Sequence, residues 1–184
     1  RLVKLAGPSE GQRALDLCCG TGDVAFALAQ CGADVIGIDF SQPMLDRAAV
    51  RNSESKVTFL HGDALDTKQP DDHFDLVTIA YGLRNLTNFK GGLREMHRVA
   101  KPGGKLLVLD FGKPSFAPWR WYFFSYLKWT VPWFGRIFCR DAPAYAYIHE
   151  SLKNYPAQDG VAEMMRELGC QDIAIHRIFG SAMT

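Results

Sequence analysis

Short apolar runs alternate with stretches of helical spacing from residue 13 onward. The run at 13–18 (RALDLC) predicts a buried strand and 23–31 (DVAFALAQC) a helix. Val35 to Ile38, closed by Asp39, predict a second strand. The helix predicted over 42–52 has apolar positions Met44, Leu45, Ala48 and Ala49, with Ser41 as N-cap and Pro43 in the first turn. "KVTFLHGDA" (56–64) and "HFDLVTIAY" (73–81) predict strands three and four, and Phe89–Lys101 a helix presenting Leu93, Met96 and Val99. "PGGKLLVLDF" (102–111) reads as a turn and a fifth strand, 158–169 as a helix ended by Gly169, and 171–179 as a late strand. Strands that alternate with helices imply βαβ units and a parallel sheet covered on both faces, an α/β fold.

One segment breaks this rhythm. Residues 116–138 hold all four tryptophans and half of the aromatic residues of the chain. Arg120, Lys128 and Arg136 interrupt the segment and Pro118 and Pro132 lie inside it, whereas a spanning helix wants about 20 predominantly apolar residues. Interleaved aromatic and basic residues suit a water–lipid boundary or a lid over an apolar pocket. Packing against the sheet or against a second copy in a homodimer is the competing reading.

Composition narrows the function classes. A chain of 184 residues suits a single domain, with an aromatic-rich insertion at about 115–150. The net charge of +1 argues against nucleic acid as a partner. Five cysteines without a C-x-x-C spacing indicate neither a zinc knuckle nor a disulfide framework, so a reducing cytoplasm is the simplest setting. Cys18 and Cys19 read as small buried residues at a strand end. His61, His73, His97 and His176 have no metal-ligand spacing, and no metal is expected. No signal-peptide pattern is visible, and a start at Arg1 rather than Met suggests a trimmed terminus.

The chemistry gathers at "ALDLCCGTGDVAFALA" (14–29). Gly20 and Gly22 form a turn between strand one and its helix, where a bare backbone can approach a ligand. Asp39 follows at the end of the second strand, where nucleotide-binding folds use an acid against ribose hydroxyls. Gly20, Gly22 and Ala25 match G-x-G-x-x-A only loosely, which is weak evidence for a dinucleotide. Three features favour S-adenosyl-L-methionine. Asp16, four residues before Gly20, would repel a diphosphate but attract an ammonium or sulfonium. "GDA" (62–64) puts Asp63 beyond strand three, within reach of an adenine amino group. No second mononucleotide half follows, and no tyrosine is followed four residues later by lysine. The bland alternative makes Asp16, Asp39 and Asp63 solvated turn acids.

Longer stretches carry a resemblance. "LDLCCGTGDVA", "GIDFSQPML", "GDAL", "FDLVTIAYGLRNLTN", "LREMHRVAKPGGKLLVLDFGKP" and "AYAYIHESLKNYPAQDGVAEMMRELG" resemble the quinone-biosynthesis C-methyltransferases over about Gly11 to Gly169. That group includes the demethylmenaquinone and polyprenyl-benzoquinol methyltransferases. The acid–glycine motif is common to many methyltransferases; "YGLRN" (81–85) is far more specific to this group. The resemblance implies a Rossmann-like class I fold of seven strands, the last antiparallel. It also implies a segment before the first strand and a final strand, most of which this sequence lacks. Cofactor contacts carry over to Thr21, Asp39, Asp63 with Ala64, and Ala80, with Phe40 beside Asp39 and with Asp16, Gly20 and Gly22 from the argument above.

The implied reaction methylates a ring carbon of a prenylated quinol, demethylmenaquinol in preference to a benzoquinol, and leaves S-adenosyl-L-homocysteine. Arg84, after strand four, is the candidate for stabilising a phenolate, against a surface ion pair as the alternative. Asp110, at the end of "LLVLD", is the candidate proton acceptor, against a carboxylate that holds the following loop. Tyr81 and Asn85 would orient the ring, and Tyr145, Tyr147 and His149 would line the acceptor pocket. Peripheral contact of 116–138 with the inner face of a membrane fits an isoprenoid acceptor. The remaining alternatives are another phenolic or lipid acceptor, and a cofactor-binding subunit without turnover.

Overall fold

The computed structural model describes residues 2–52, 57–114, 116–125, 151–152, 155–178 and 183–184. The chain divides into two compact units, Arg1–Leu109 and Asp110–Thr184. In the first, α1 (Leu2–Ala6), β1 (Arg13–Leu17), α2 (Asp23–Ala29), β2 (Asp34–Asp39), α3 (Gln42–Arg51), β3 (Val57–His61), β4 (Phe74–Ala80), α4 (Phe89–Val99) and β5 (Ala100–Leu109) follow in order. A single 3-10 turn, Leu83–Asn85, lies between β4 and α4.

All strand pairs are parallel and the sheet order is β3-β2-β1-β4-β5. The chain builds outward from β1 to β3, then crosses to the other side of β1 to lay down β4 and β5. Strand order therefore reverses between β1 and β4, and the region beyond their carboxyl ends is where open α/β sheets bind ligands. Both side-chain parities are buried on the inner strands: Ala14 and Asp16 on one face of β1, Leu15 and Leu17 on the other. Two-sided burial is what turns these strands into near-continuous apolar runs. Ala14 and Leu76 pack with Ala25, Phe26 and Leu28 of α2 and Ala6 of α1 in one core cluster.

The sequence-predicted elements of this unit form within a few residues of their expected bounds. Ser41 caps α3 by position with Pro43 in its first turn, although its side chain makes no capping bond. Asn88 caps α4 properly: its side chain accepts a hydrogen bond from Gly91 N–H at 2.9 Å. The expected turn at 102–103 is absorbed into β5 as an irregularity. Ala100 pairs with Phe74 and Lys105 with Leu76, so 101–104 bulge out. Gly104 is needed there because a Cβ would lie 2.9 Å from the Lys101 carbonyl oxygen.

In the second unit, α5 (Ala117–Ser125) and α6 (Ala157–Glu167) are described, the latter ending near Gly169 at φ 89°. The strand predicted over 171–179 does not form across its described part. Only Ile178 pairs there, antiparallel with Met183, and Met183 also bridges Phe111. A run without a ladder partner leaves its peptide groups to solvent and is extended chain rather than strand. Asp110 and Thr184 exchange both backbone hydrogen bonds, at 2.9 and 3.0 Å. These contacts at 183–184 are isolated antiparallel bridges, not a strand, among the described residues.

Candidate functional site

Asp16 sits one residue from the end of β1 and is 1% exposed. Its register partner on β4 is Thr78, whose hydroxyl donates to Asp16 Oδ1 at 2.7 Å. Burial pushes the Asp16 carboxyl up to about 7. The Thr78 hydroxyl and the Ala25 N–H pull the other way, and the negative charge of Asp39 adds to the rise. No lysine or arginine among the described residues pairs with Asp16.

After β1 the chain turns through Cys18 (φ 52°), Gly20 (φ 55°) and Gly22 (φ 85°), all left-handed. The two glycines serve different ends. A Cβ on Gly20 would meet nothing within 4 Å, so the backbone there is open to a ligand. A Cβ on Gly22 would lie 2.7 Å from the Phe59 ring and 2.9 Å from Phe26, so that glycine lets α2 start tight against the core. Asp39 fastens the turn: its two carboxylate oxygens accept from Gly20 N–H at 2.7 Å and Ser41 N–H at 2.8 Å. Each oxygen keeps a second acceptor direction. From α3, Arg51 donates to the Thr21 carbonyl at 2.8 Å and to Asp23 at 2.7 Å, and lies over the Phe26 ring at 5.2 Å. The Cys19 thiol is buried, which pushes its ionisation well up and keeps it neutral.

The loops after β2 and β3 adjoin this turn. Gly62 N–H donates to the Asp39 carbonyl at 3.1 Å. Asp63 is exposed and its carboxylate accepts from Leu65 N–H at 2.8 Å, while Ala64 is buried. Phe40 is 78% exposed, an apolar ring in water, with the His61 ring 5.8 Å away and tilted by 34°.

The loop after β4 lies against the turn after β1: a Cβ on Gly82 would lie 2.5 Å from Cys18 Cβ. Ala80 ends β4, half-buried, and Tyr81 is left-handed at φ 57°. Arg84 Nη1 donates to the Tyr81 carbonyl at 2.9 Å with its guanidinium 5.8 Å from the Tyr81 ring centre. Asn85 donates to the same carbonyl at 3.2 Å.

The structure thus brings Asp16, Gly20, Thr21, Gly22 and Asp39 together with the loop 80–85, and sets Asp63 and Ala64 beyond the neighbouring strand. Asp110 belongs to the second unit, is 1% exposed, and accepts from Phe111 N–H at 2.8 Å, the loop-holding contact of its competing reading. Tyr145, Tyr147 and His149 lie outside the described residues. Thr78 and Arg51 are contributors that sequence reasoning missed. A hydroxyl inside the apolar run "FDLVTIA" was the available signal for Thr78; nothing in the sequence pointed to Arg51.

An open glycine backbone beside a buried acid that pairs with no lysine or arginine among the described residues fits a ligand carrying positive charge. The whole chain, residues 1–184, matches the ubiE/COQ5 methyltransferase family. It belongs to that family. The demethylmenaquinone methyltransferase of Anoxybacillus flavithermus is 37% identical over 94% of this chain and 76% of its own length. The enzyme of the same name from Bacillus subtilis is 34% identical over 98% of this chain and 80% of its own. The solved structure of a SAM-dependent methyltransferase from Aquifex aeolicus is 25% identical. It aligns at a TM-score of 0.56 over 63% of this chain and 65% of its own. This member of the ubiE/COQ5 family is a methyltransferase of Rossmann-like α/β fold whose cofactor is S-adenosyl-L-methionine.

Proposed function

We propose that this methyltransferase acts on a ring carbon of a prenylated quinol, converting demethylmenaquinol to menaquinol, with residues 1–184 serving as one domain. The observation that carries the cofactor half of this reading is Asp16, an acid buried at the glycine turn and paired with no lysine or arginine among the described residues. The names of the relatives from Anoxybacillus flavithermus and Bacillus subtilis support the acceptor half.

Bound S-adenosyl-L-methionine supplies an activated sulfonium methyl. In this reading Asp16 faces its cationic end, and Gly20, Thr21 and Gly22 run along the methionine. Asp39 accepts from the ribose hydroxyls, Phe40 covers the adenine face, and Asp63, Ala64 and Ala80 complete the adenosine cradle. The chain's remaining task is to make a ring carbon nucleophilic and aim it. A free phenol ionises near pKa ~10, so an uncharged ring is a poor nucleophile at neutral pH. Arg84, held by the Tyr81 carbonyl, supplies a fixed positive charge that stabilises the phenolate oxygen. Tyr81 and Asn85 orient the ring so that carbon and methyl meet in line. Asp110 is the candidate acceptor of the released proton on the sequence reading, and the candidates Tyr145, Tyr147 and His149 lie outside the described residues.

The described part of the aromatic segment, residues 116–125, offers an apolar surface to the isoprenoid tail. Phe116, Trp119, Trp121 and Tyr122 are exposed, with Trp119 and Tyr122 stacked at 5.4 Å. Exposed aromatic rings of this kind suit the lipid interface on the cytoplasmic face of a membrane. No helix among the described residues is long and apolar enough to cross one.

The test supplies S-adenosyl-L-methionine with short-tailed naphthoquinols and benzoquinols and follows ring methylation by mass spectrometry. Methylated naphthoquinol is expected, and Arg84→Ala should lower turnover by roughly 100-fold or more with cofactor affinity unchanged. Cofactor binding without any methylated product overturns the proposal, and unimpaired turnover removes Arg84 from the chemistry.

A further inference from the structure

We propose that Thr78 is a positioning residue for the methyl donor: its hydroxyl holds the Asp16 carboxylate in the orientation and charge state that a cationic ligand needs. The inference rests on the reading above that Asp16 faces the cofactor's positive end.

Thr78 lies at the middle of β4 and is wholly buried. Asp16 and Thr78 are directly opposite each other on adjacent parallel strands, so both side chains leave the sheet on one face. That face is the one α2 covers, since Ala14 and Leu76, two residues earlier on the same strands, pack into the α2 cluster. The hydroxyl lies 2.7 Å from Asp16 Oδ1 and 3.4 Å from the Leu15 carbonyl. It has one proton to give, and the shorter contact to a carboxylate is the stronger bond. Valine has nearly the same shape and suits a buried strand better, so the packing alone does not call for a hydroxyl here.

Three other groups face Asp16. The Ala25 N–H from α2 favours the charged carboxylate. Asp39, from the end of β2, opposes it. The Cys19 thiol, from the turn after β1, is neutral and contributes no charge. Among the described side chains, Thr78 works in favour of the ionised form, against burial and Asp39.

The experiment titrates S-adenosyl-L-methionine calorimetrically into the intact protein and its Thr78→Val, Thr78→Ser and Asp16→Asn variants from pH 6 to 9.5. The ligand's own titration is common to all four and cancels in the comparison. Wild-type affinity is expected to rise with pH and level off once Asp16 is ionised. In Thr78→Val that rise moves to higher pH, giving a loss of about 10-fold near neutrality for each unit moved, which fades toward pH 9. Thr78→Ser keeps the wild-type profile. A loss in Thr78→Val that is equal at every pH marks a packing role and overturns the proposal. Thr78→Cys, a weaker donor of similar size, reads the same shift if Val does not fold. Asp16→Asn separates the two layers. If Asp16→Asn binds with wild-type affinity and profile, the reading of Asp16 falls and that of Thr78 with it. If Asp16→Asn loses the pH step while Thr78→Val keeps it in place, Thr78 alone falls.

Discussion

Burying a carboxylate beside a second carboxylate costs free energy, and at Asp16 two hydrogen bonds offset only part of that cost. Its carboxyl ionises at about 7 when folded and near 3.9 when the chain is unfolded. Below the unfolded value both states carry the proton and Asp16 does not disturb folding. Between the two values the native state keeps a proton that the unfolded chain has lost, so stability falls as pH rises from about 3.9 toward about 7 and levels off above it. Asp16→Asn should therefore raise apo stability by roughly 1–3 kcal/mol at pH 8 and leave it nearly unchanged at pH 4. Melting curves at the two pH values check this, and equal effects at both would contradict the burial argument. A residue that destabilises the empty protein in order to meet a cation belongs to function rather than to folding.

Among the elements, α4 does more than cover the sheet. Glu95 on its buried side accepts from Thr67 N–H at 2.8 Å and the Thr67 hydroxyl at 2.6 Å, and pairs with Arg98 at 2.7 Å. Arg98 in turn donates to the Gln69 carbonyl at 2.9 Å and pairs with Asp71. One ion pair thus fixes the loop that follows Asp63 and Ala64. Arg98 beside Glu95 holds that carboxyl down at about 2. Its stabilising contribution is present above about pH 4.5 and is lost as pH falls through about 2. Glu95→Ala should cost about 2 kcal/mol at pH 7, the scale of the charge-assisted hydrogen bonds removed, with the gap closing in acid. Denaturant titrations at both pH values measure it; a gap that persists at pH 2 would show that the ion pair is not its source.

At the scale of the whole molecule, the proposed cofactor residues belong to the first unit, and the aromatic helix α5 belongs to the second. Exposed rings at Phe116, Trp119, Trp121 and Tyr122 predict that the protein floats with anionic liposomes on a density gradient. Trp121→Glu should weaken that flotation several-fold while methylation of a short-tailed quinol is retained. A wild-type protein that stays in the dense fraction has no peripheral membrane role. If it sediments there as a dimer, the exposed rings serve a second copy instead.

The sequence alone determined the parallel sheet, the glycine turn and the three acids. These are local signals: apolar runs bounded by turn residues, and acids at strand ends whose placement follows from the run they close. It also determined the family, because "YGLRN" and the acid–glycine motif are contiguous strings. Only the tertiary structure decided which neighbours those residues meet. The pairing of Asp16 with Thr78 depends on β4 lying beside β1, although 62 residues separate the two. The distinct reasons for Gly20 and Gly22 appear once Phe59 from another strand is in place. The run 171–179 had a strand's pattern but, over its described part, only one ladder partner. Periodicity records how a segment meets water and core, whereas hydrogen-bond partners and buried charges are set by chain crossings that no local pattern encodes.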